Sequence, residues 1–291
     1  MRIIHPIIKS LLLIVSAITA TGYAHEPMVK FVSPSTPIQI DKIMSAASAQ
    51  GGKTAARAGA VASALTDTPF ASTADSDTPD APLRISLDSI DALDLVEYAI
   101  AAAKASMMPG QQINDFTKSL TEVRYRRGEN NGFTSRLRYI SDWIADNSYR
   151  NNIREITSDL PGNVFTSRTL DHITRNRDKY PALADSATFE KMQMLEMGYR
   201  VHKIPYMKRE SIGKKQVIEL LEDNDIIILF GNEKDSDMTD IGFIRIENGK
   251  PLFIHASRKD GKVLTEPESL PEYMKLMAKQ VAGYRILRIK D

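Results

Sequence analysis

The most constraining feature of this chain is a change of period in its last eighty residues. There the apolar residues fall into four short runs: Ile226 to Phe230, Ile241 to Ile246, Pro251 to Ile254 and Tyr284 to Ile289. Runs this short, bounded by Gly, Asn and Asp, are too brief for helices and fit buried strands. Between the second and third lies Asn248-Gly249, two residues that accept the positive φ a tight hairpin requires. This part therefore reads as antiparallel sheet. Upstream the spacing is helical, and no strand–helix–strand alternation appears. The expected class is α+β, with a helical N-terminal half packed on a small antiparallel sheet or half-barrel from the C-terminal half.

The helical half has recognisable pieces. Lys53 to Leu65 is alanine-rich and able to pack closely. From Ile90 the apolar positions Leu93, Val96, Ile100 and Ala103 recur at three and four residues, with Ser86, Asp88 and Ser89 as candidate caps and Pro109-Gly110 as the stop. A helix is expected from Gln112 to about Glu122. The basic run Arg124, Arg126 and Arg127 follows and reads as a solvated or salt-bridged face. Phe133 to Asn147 carries the only tryptophan, Trp143, and implies burial. A further helix is expected from about Thr188 to Tyr199, with Phe189, Met192, Leu195 and Met197 as its apolar surface. Two stretches read as irregular. Residues 25–50, with Pro27, Pro34 and Pro37, predict an extended arm ending in a helical turn, and 66–82, with three prolines and four aspartates, predict a long loop.

Arg2 and Lys9 precede the apolar run Leu11 to Ile18, and Gly22-Tyr23-Ala24 supplies the small residues a signal peptidase reads. Cleavage is expected after Ala24, giving a signal peptide at 1–24, an N-terminal arm at 25–56 and one domain at 57–291. The run is too short to span a bilayer stably, and the chain has no cysteine for a lipid anchor. A periplasmic or secreted protein follows, with no stable membrane anchor after cleavage. The 291-residue chain carries 38 basic and 37 acidic residues, a balance that argues against a nucleic-acid partner.

Absence of cysteine also removes disulfides, thiolate metal sites and any thiol nucleophile. Four histidines lie beyond the signal, His25, His172, His202 and His255, and none has the helical i, i+4 partner of a zinc site. Asp235, Asp237 and Asp240 match the opening of a calcium loop, but Asp240 and Ile246 stand where its glycine and glutamate belong. No phosphate-cradling glycine loop and no Gly-x-Ser-x-Gly elbow is present. No metal and no cofactor is expected, and motif reading alone finds no complete active site.

Residues 86–103 (SLDSIDALDLVEYAIAAA), 124–147 (RYRRGENNGFTSRLRYISDWIADN), 155–162 (EITSDLPG), 200–205 (RVHKIP) and 224–257 (NDIIILFGNEKDSDMTDIGFIRIENGKPLFIHAS) carry a resemblance. In this order and spacing, from about Arg57 to Ile289, the chain resembles a bacterial exported N-acetylmuramoyl-L-alanine amidase-like family among the NlpC-type, papain-like cysteine peptidases that cut cell-wall peptides. The resemblance implies a cysteine opening a buried helix, a histidine base on a facing strand and a polar residue orienting that base. Here Ala92, after Asp91, occupies the nucleophile position and Asp240 the base position, in Asp240-Ile241-Gly242. Only the orienting position is kept, as His255. Arg138 stands where family members carry a histidine ahead of the Tyr-x-x-Asp-Trp stretch. Asp91, Arg138 and Trp143 are the candidate binding residues.

An alanine cannot attack a carbonyl, so the resemblance leads to a catalytically impaired, amidase-like pseudoenzyme of the cell envelope. It would bind peptidoglycan or muropeptides, or regulate an active relative. Two alternatives stay open. One is a rebuilt cell-wall amidase or peptidase using Ser89 or Asp94 with His255 or Asp240 as base; the other is a docking module for a protein partner.

Overall fold

The computed structural model describes residues 29–72, 82–110, 113–233 and 236–291. The expected signal segment and most of the long acidic loop lie outside the described residues. In chain order the elements are β1 (Val29–Phe31), α1 (Thr36–Gln50), α2 (Thr54–Ala64), β2 (Leu83–Ile85), α3 (Ala92–Ala105), α4 (Ile113–Arg124) and α5 (Ile140–Tyr149). Then come β3 (Ile153–Glu155), β4 (Val164–Arg168), α6 (His172–Arg175), α7 (Ser186–Met197), β5 (His202–Lys208) and α8 (Lys215–Ile218). The last are β6 (Ile226–Phe230), β7 (Asp240–Glu247), β8 (Lys250–Ser257), β9 (Lys262–Thr265), α9 (Leu270–Leu276) and β10 (Gly283–Ile289). The chain is α+β.

The main sheet runs β4-β5-β10-β6-β7-β8-β9, with β3 pairing β10 as well, and every pairing in it is antiparallel. All four apolar runs are strands. The Asn248-Gly249 hairpin joins β7 to β8 with φ of 49° and 74°. Strand β6 is apolar throughout because both its faces are covered. Ile226 and Ile228 join the core that holds α3, while Ile227 and Leu229 join a second core with Leu270, Tyr273 and Met274 of α9. Successive side chains leave opposite faces of a strand, so a strand buried on both sides loses its polar alternation.

Helix α3 is the central one, and twelve of its fourteen residues are buried. It is held by α1, α2 and α4 on its helical sides and by β7 and β8 beneath. Its alanines permit that crowding, since a helix apolar nearly all round has to be enclosed.

Several expectations are corrected. Thr36 to Gln50 forms a four-turn helix rather than an extended arm. Pro37 sits in its first turn, where a missing N–H is no loss, and Ile40, Ile43, Met44 and Ala47 make its buried stripe. Helix α3 is capped by Asp91, not by Ser86, Asp88 or Ser89, and ends at Ala105, before Pro109-Gly110. Asp88 instead accepts hydrogen bonds from Ser35 and Gln39, tying α1 to the α3 entry. In α7 only Met192 of the methionines is buried, while Met194 and Met197 are 69% and 56% exposed. Strands β1 to β5 and β9 were not foreseen; they are short or half-exposed and lack an apolar run.

Candidate functional site

Helix α3 begins in a cleft. Asp91 is extended (φ −95°, ψ −179°) and its carboxylate accepts the Asp94 N–H at 2.8 Å, the usual way an aspartate satisfies a free amide at a helix start. Ala92, the first helical residue, presents only a methyl group. One turn further in, Arg124 donates from Nη2 to Asp94 (2.6 Å) and from Nε to Glu97 (2.6 Å), and Arg136 adds a second cation to Glu97 at 2.7 Å. Burial would lower the Arg124 guanidinium, but Glu97 and Asp94 hold it well above its ordinary value. Burial pushes the Asp94 carboxyl up to about 7, Asp91 adds to the rise and Arg124 opposes it. Of the basic run, Arg124, the last residue of α4, is buried and salt-bridged, and Arg126 pairs with Asp142.

Across from α3, β7 and β8 bring three charged groups together. The Nδ1 of His255 lies 2.6 Å from Asp240 Oδ2 and its Nε2 lies 2.9 Å from Glu266 Oε1. The imidazole stacks on Phe253, with ring centroids 4.3 Å apart, and meets Tyr273 edge-on. Burial works against its charge, but Asp240 and Glu266 outweigh burial and raise the His255 pKa to about 9. At neutral pH it is an imidazolium donating from both nitrogens, with no lone pair to take a proton. Gly242 makes this approach possible. It is the register partner of His255, and a Cβ there would stand 2.1 Å from the Ile254 carbonyl and 2.9 Å from His255 Cβ.

Both halves open onto one cleft of about 610 Å³. Asp91, Ala92 and Asp240 line it, as do Arg138, Lys179 and Arg258. The Arg138 guanidinium lies 3.8 Å from the Phe133 ring centroid and donates to the Phe133 carbonyl at 2.5 Å. Neither Lys179 nor Arg258 has a carboxylate partner among the described residues. The outer wall is a small separate core of Phe133, Tyr139, Leu170, Ile173, Leu183 and Met192. It is held together by Glu196, which accepts from Tyr139 Oη at 2.7 Å and from the Thr174 amide at 3.1 Å.

Of the residues singled out by sequence, Asp91, Ala92, Arg138 and Asp240 line the cleft, and His255 lies behind Asp240. Trp143 does not belong with them: it is fully buried in the main core and acts by packing. Ser89 is not among the lining residues, and Asp94 is buried beneath α3, bonded to Arg124. Lys179, Arg258, Glu266 and Asp237 were missed as site residues, the last two despite their bonds to site elements. Glu266 follows β9 and reaches His255 because its amide bonds the Phe253 carbonyl at 2.8 Å. Asp237 lies in the cleft wall, where its carboxylate accepts the Ser141 amide at 2.7 Å and the Ile140 amide at 3.4 Å, capping α5 from almost a hundred residues away. Neither has a local signature.

A family model described as AmiA-like, N-acetylmuramoyl-L-alanine amidase-like, matches residues 60–280. No curated protein matches the chain. Among solved structures, one titled as an N-acetylmuramoyl-L-alanine amidase from Bacteroides uniformis is 25% identical with a TM-score of 0.72, covering 82% of this chain and 100% of that one. A second structure with the same description has a TM-score of 0.68 at 25% identity and covers 79% and 97%. A Legionella pneumophila protein, 16% identical, shares the fold with a TM-score of 0.68 over 88% of this chain and 94% of its own.

Proposed function

We propose, from the premise that this chain belongs to the N-acetylmuramoyl-L-alanine amidase-like family, that it is an exported cell-envelope protein that binds peptidoglycan peptides without cleaving them. The observation that carries the reading is the double clamp on His255, with a carboxylate on each ring nitrogen. In an NlpC-type, papain-like scheme Ala92 takes the nucleophile position, Asp240 the base position and His255 the orienting position. An imidazolium held on both sides has no lone pair with which to deprotonate a nucleophile, and its bond to Asp240 engages an oxygen of that carboxylate. No hydroxyl bonds its ring among the described residues, so a rebuilt active site has no nucleophile set against His255. What the cleft offers instead is binding. Asp91 and Asp240 present negative charge, while Arg138, Lys179 and Arg258 present positive charge, a pairing suited to the carboxylates and amines of a wall peptide.

The test incubates the protein with purified peptidoglycan and with soluble muropeptides, reading retention by pull-down and new fragments by mass spectrometry. Retention without fragments is expected, with Arg258→Gln weakening retention several-fold. Ala92→Cys is expected to stay inactive, because the added thiol finds no neutral imidazole to take its proton. Release of fragments by the unaltered protein overturns the reading.

A further inference from the structure

A second groove, of about 580 Å³, lies between α5 and the strands β3, β5 and β10, and shares no lining residue with the cleft. Its charge is lopsided in a chain whose totals nearly cancel. One lining cation is internally matched: Arg285 makes two bonds to Glu155, at 2.7 and 3.0 Å, and one to Ser141 Oγ at 3.0 Å. Lys203 and Lys290 remain, both exposed and without a carboxylate partner among the described residues. Arg154 joins them, since its pair with Asp159 joins two side chains that are each more than half exposed and neutralises little.

A flat apolar face continues from the groove's edge. Pro205 lines the groove, and Phe165 is the register partner of Pro205, so the two rings share a face of the β4–β5 pair. The Phe165 ring is half exposed, and Lys203 Nζ stands 4.8 Å from its centroid. Uncompensated lysines beside a flat ring face suit one ligand chemistry. We propose that this groove binds an anionic saccharide, its ring face against Phe165 and Pro205 and its acid group between Lys203 and Lys290.

This inference uses only the groove's own residues and goes beyond the cleft reading. The acid is a carboxylate or a phosphate, and the probes separate the two. Full-length protein is titrated calorimetrically with peptide-free oligosaccharides bearing N-acetylmuramic acid, with N-acetylglucosamine 1-phosphate, and with a neutral chitooligosaccharide. At least one anionic probe is expected to bind, more weakly as salt rises, and at least tenfold more tightly than the neutral one. Lys203→Gln/Lys290→Gln removes at least tenfold of that affinity, and Phe165→Ala weakens anionic and neutral probes alike. Arg258→Gln, in the cleft, leaves the anionic saccharide unaffected while reducing muropeptide retention, so the two readings fail separately. Equal affinity for the neutral probe, an unaffected double variant, no binding of either anionic probe at millimolar concentration, or tighter binding of a single-stranded oligonucleotide each overturns the proposal.

Discussion

The cleft is bounded by two clusters of charge that resolve the same difficulty differently. Beneath α3, Asp94 and Glu97 face Arg124 and Arg136, two carboxylates against two guanidiniums that stay charged at any biological pH. At the start of β7 and just after β9, two carboxylates share one histidine of β8, whose charge depends on a proton. The first cluster holds two permanent cations, whereas the second holds one cation that exists only while its proton is bound. Placing the titratable cluster where a catalytic base would stand turns a reactive position into an electrostatic one. The cleft then carries the single surplus negative charge of Asp240, His255 and Glu266, with the Asp240 side chain 18% exposed.

The largest effect that separates the clusters is expected from Arg124→Met. It leaves buried Asp94 without its cation and Glu97 with Arg136 alone, and should lower stability by about 3–5 kcal/mol in urea denaturation. If the loss stays under 1 kcal/mol, the cluster beneath α3 is not the fixed one. The two should next part company along the pH axis. His255 is raised from 6.5 to about 9, so its contribution is complete below pH 6.5 and is lost as pH rises through 9, on the order of 3 kcal/mol. Asp94, raised from 3.8 to about 7, also loses stability with rising pH, but in the window between about 4 and 7. His255→Gln should abolish the upper decline alone, as thermal melts across pH 4 to 10 would reveal. A smaller effect, about 1–3 kcal/mol, is expected from Gly242→Ala, which overpacks the strand against the Ile254 carbonyl. It should also shift the His255 ring resonances, a change that Arg124→Met should not produce. The smallest is Asp91→Ala, about 1 kcal/mol from a lost helix cap, with the His255 titration unmoved.

What could be read in advance follows from how local each signal is. Strands β6, β7, β8 and β10 announce themselves because burial on both faces demands uninterrupted apolar runs. Helix α3 does so because its enclosure leaves almost no polar position. Strands β4 and β5 do not, since one face is wet and their apolar residues are interrupted by Thr, Ser, Arg, His and Lys. Helix α1 was hidden by Pro37, which stops a helix from within but opens one from its first turn. Ala92, Asp240 and His255 were reachable by spacing against a known pattern. Glu266 and Asp237 were not, because each finds its partner through strand pairing or across a distance of nearly a hundred residues, and no local pattern encodes that.

The place of β10 has a consequence for assembly. It lies between β5 and β6 and also receives β3, and its Ile286 exchanges hydrogen bonds with Ile156 and Thr157, about 130 residues earlier. Until that strand is inserted, the β4–β5 ribbon and the β6–β9 ribbon have no common seam. During that interval Ile226 to Phe230 is an apolar edge open to pairing with any other chain. Closure across such a span is slow and exposed edges aggregate, so refolding yield should fall with protein concentration more steeply than equilibrium stability would suggest.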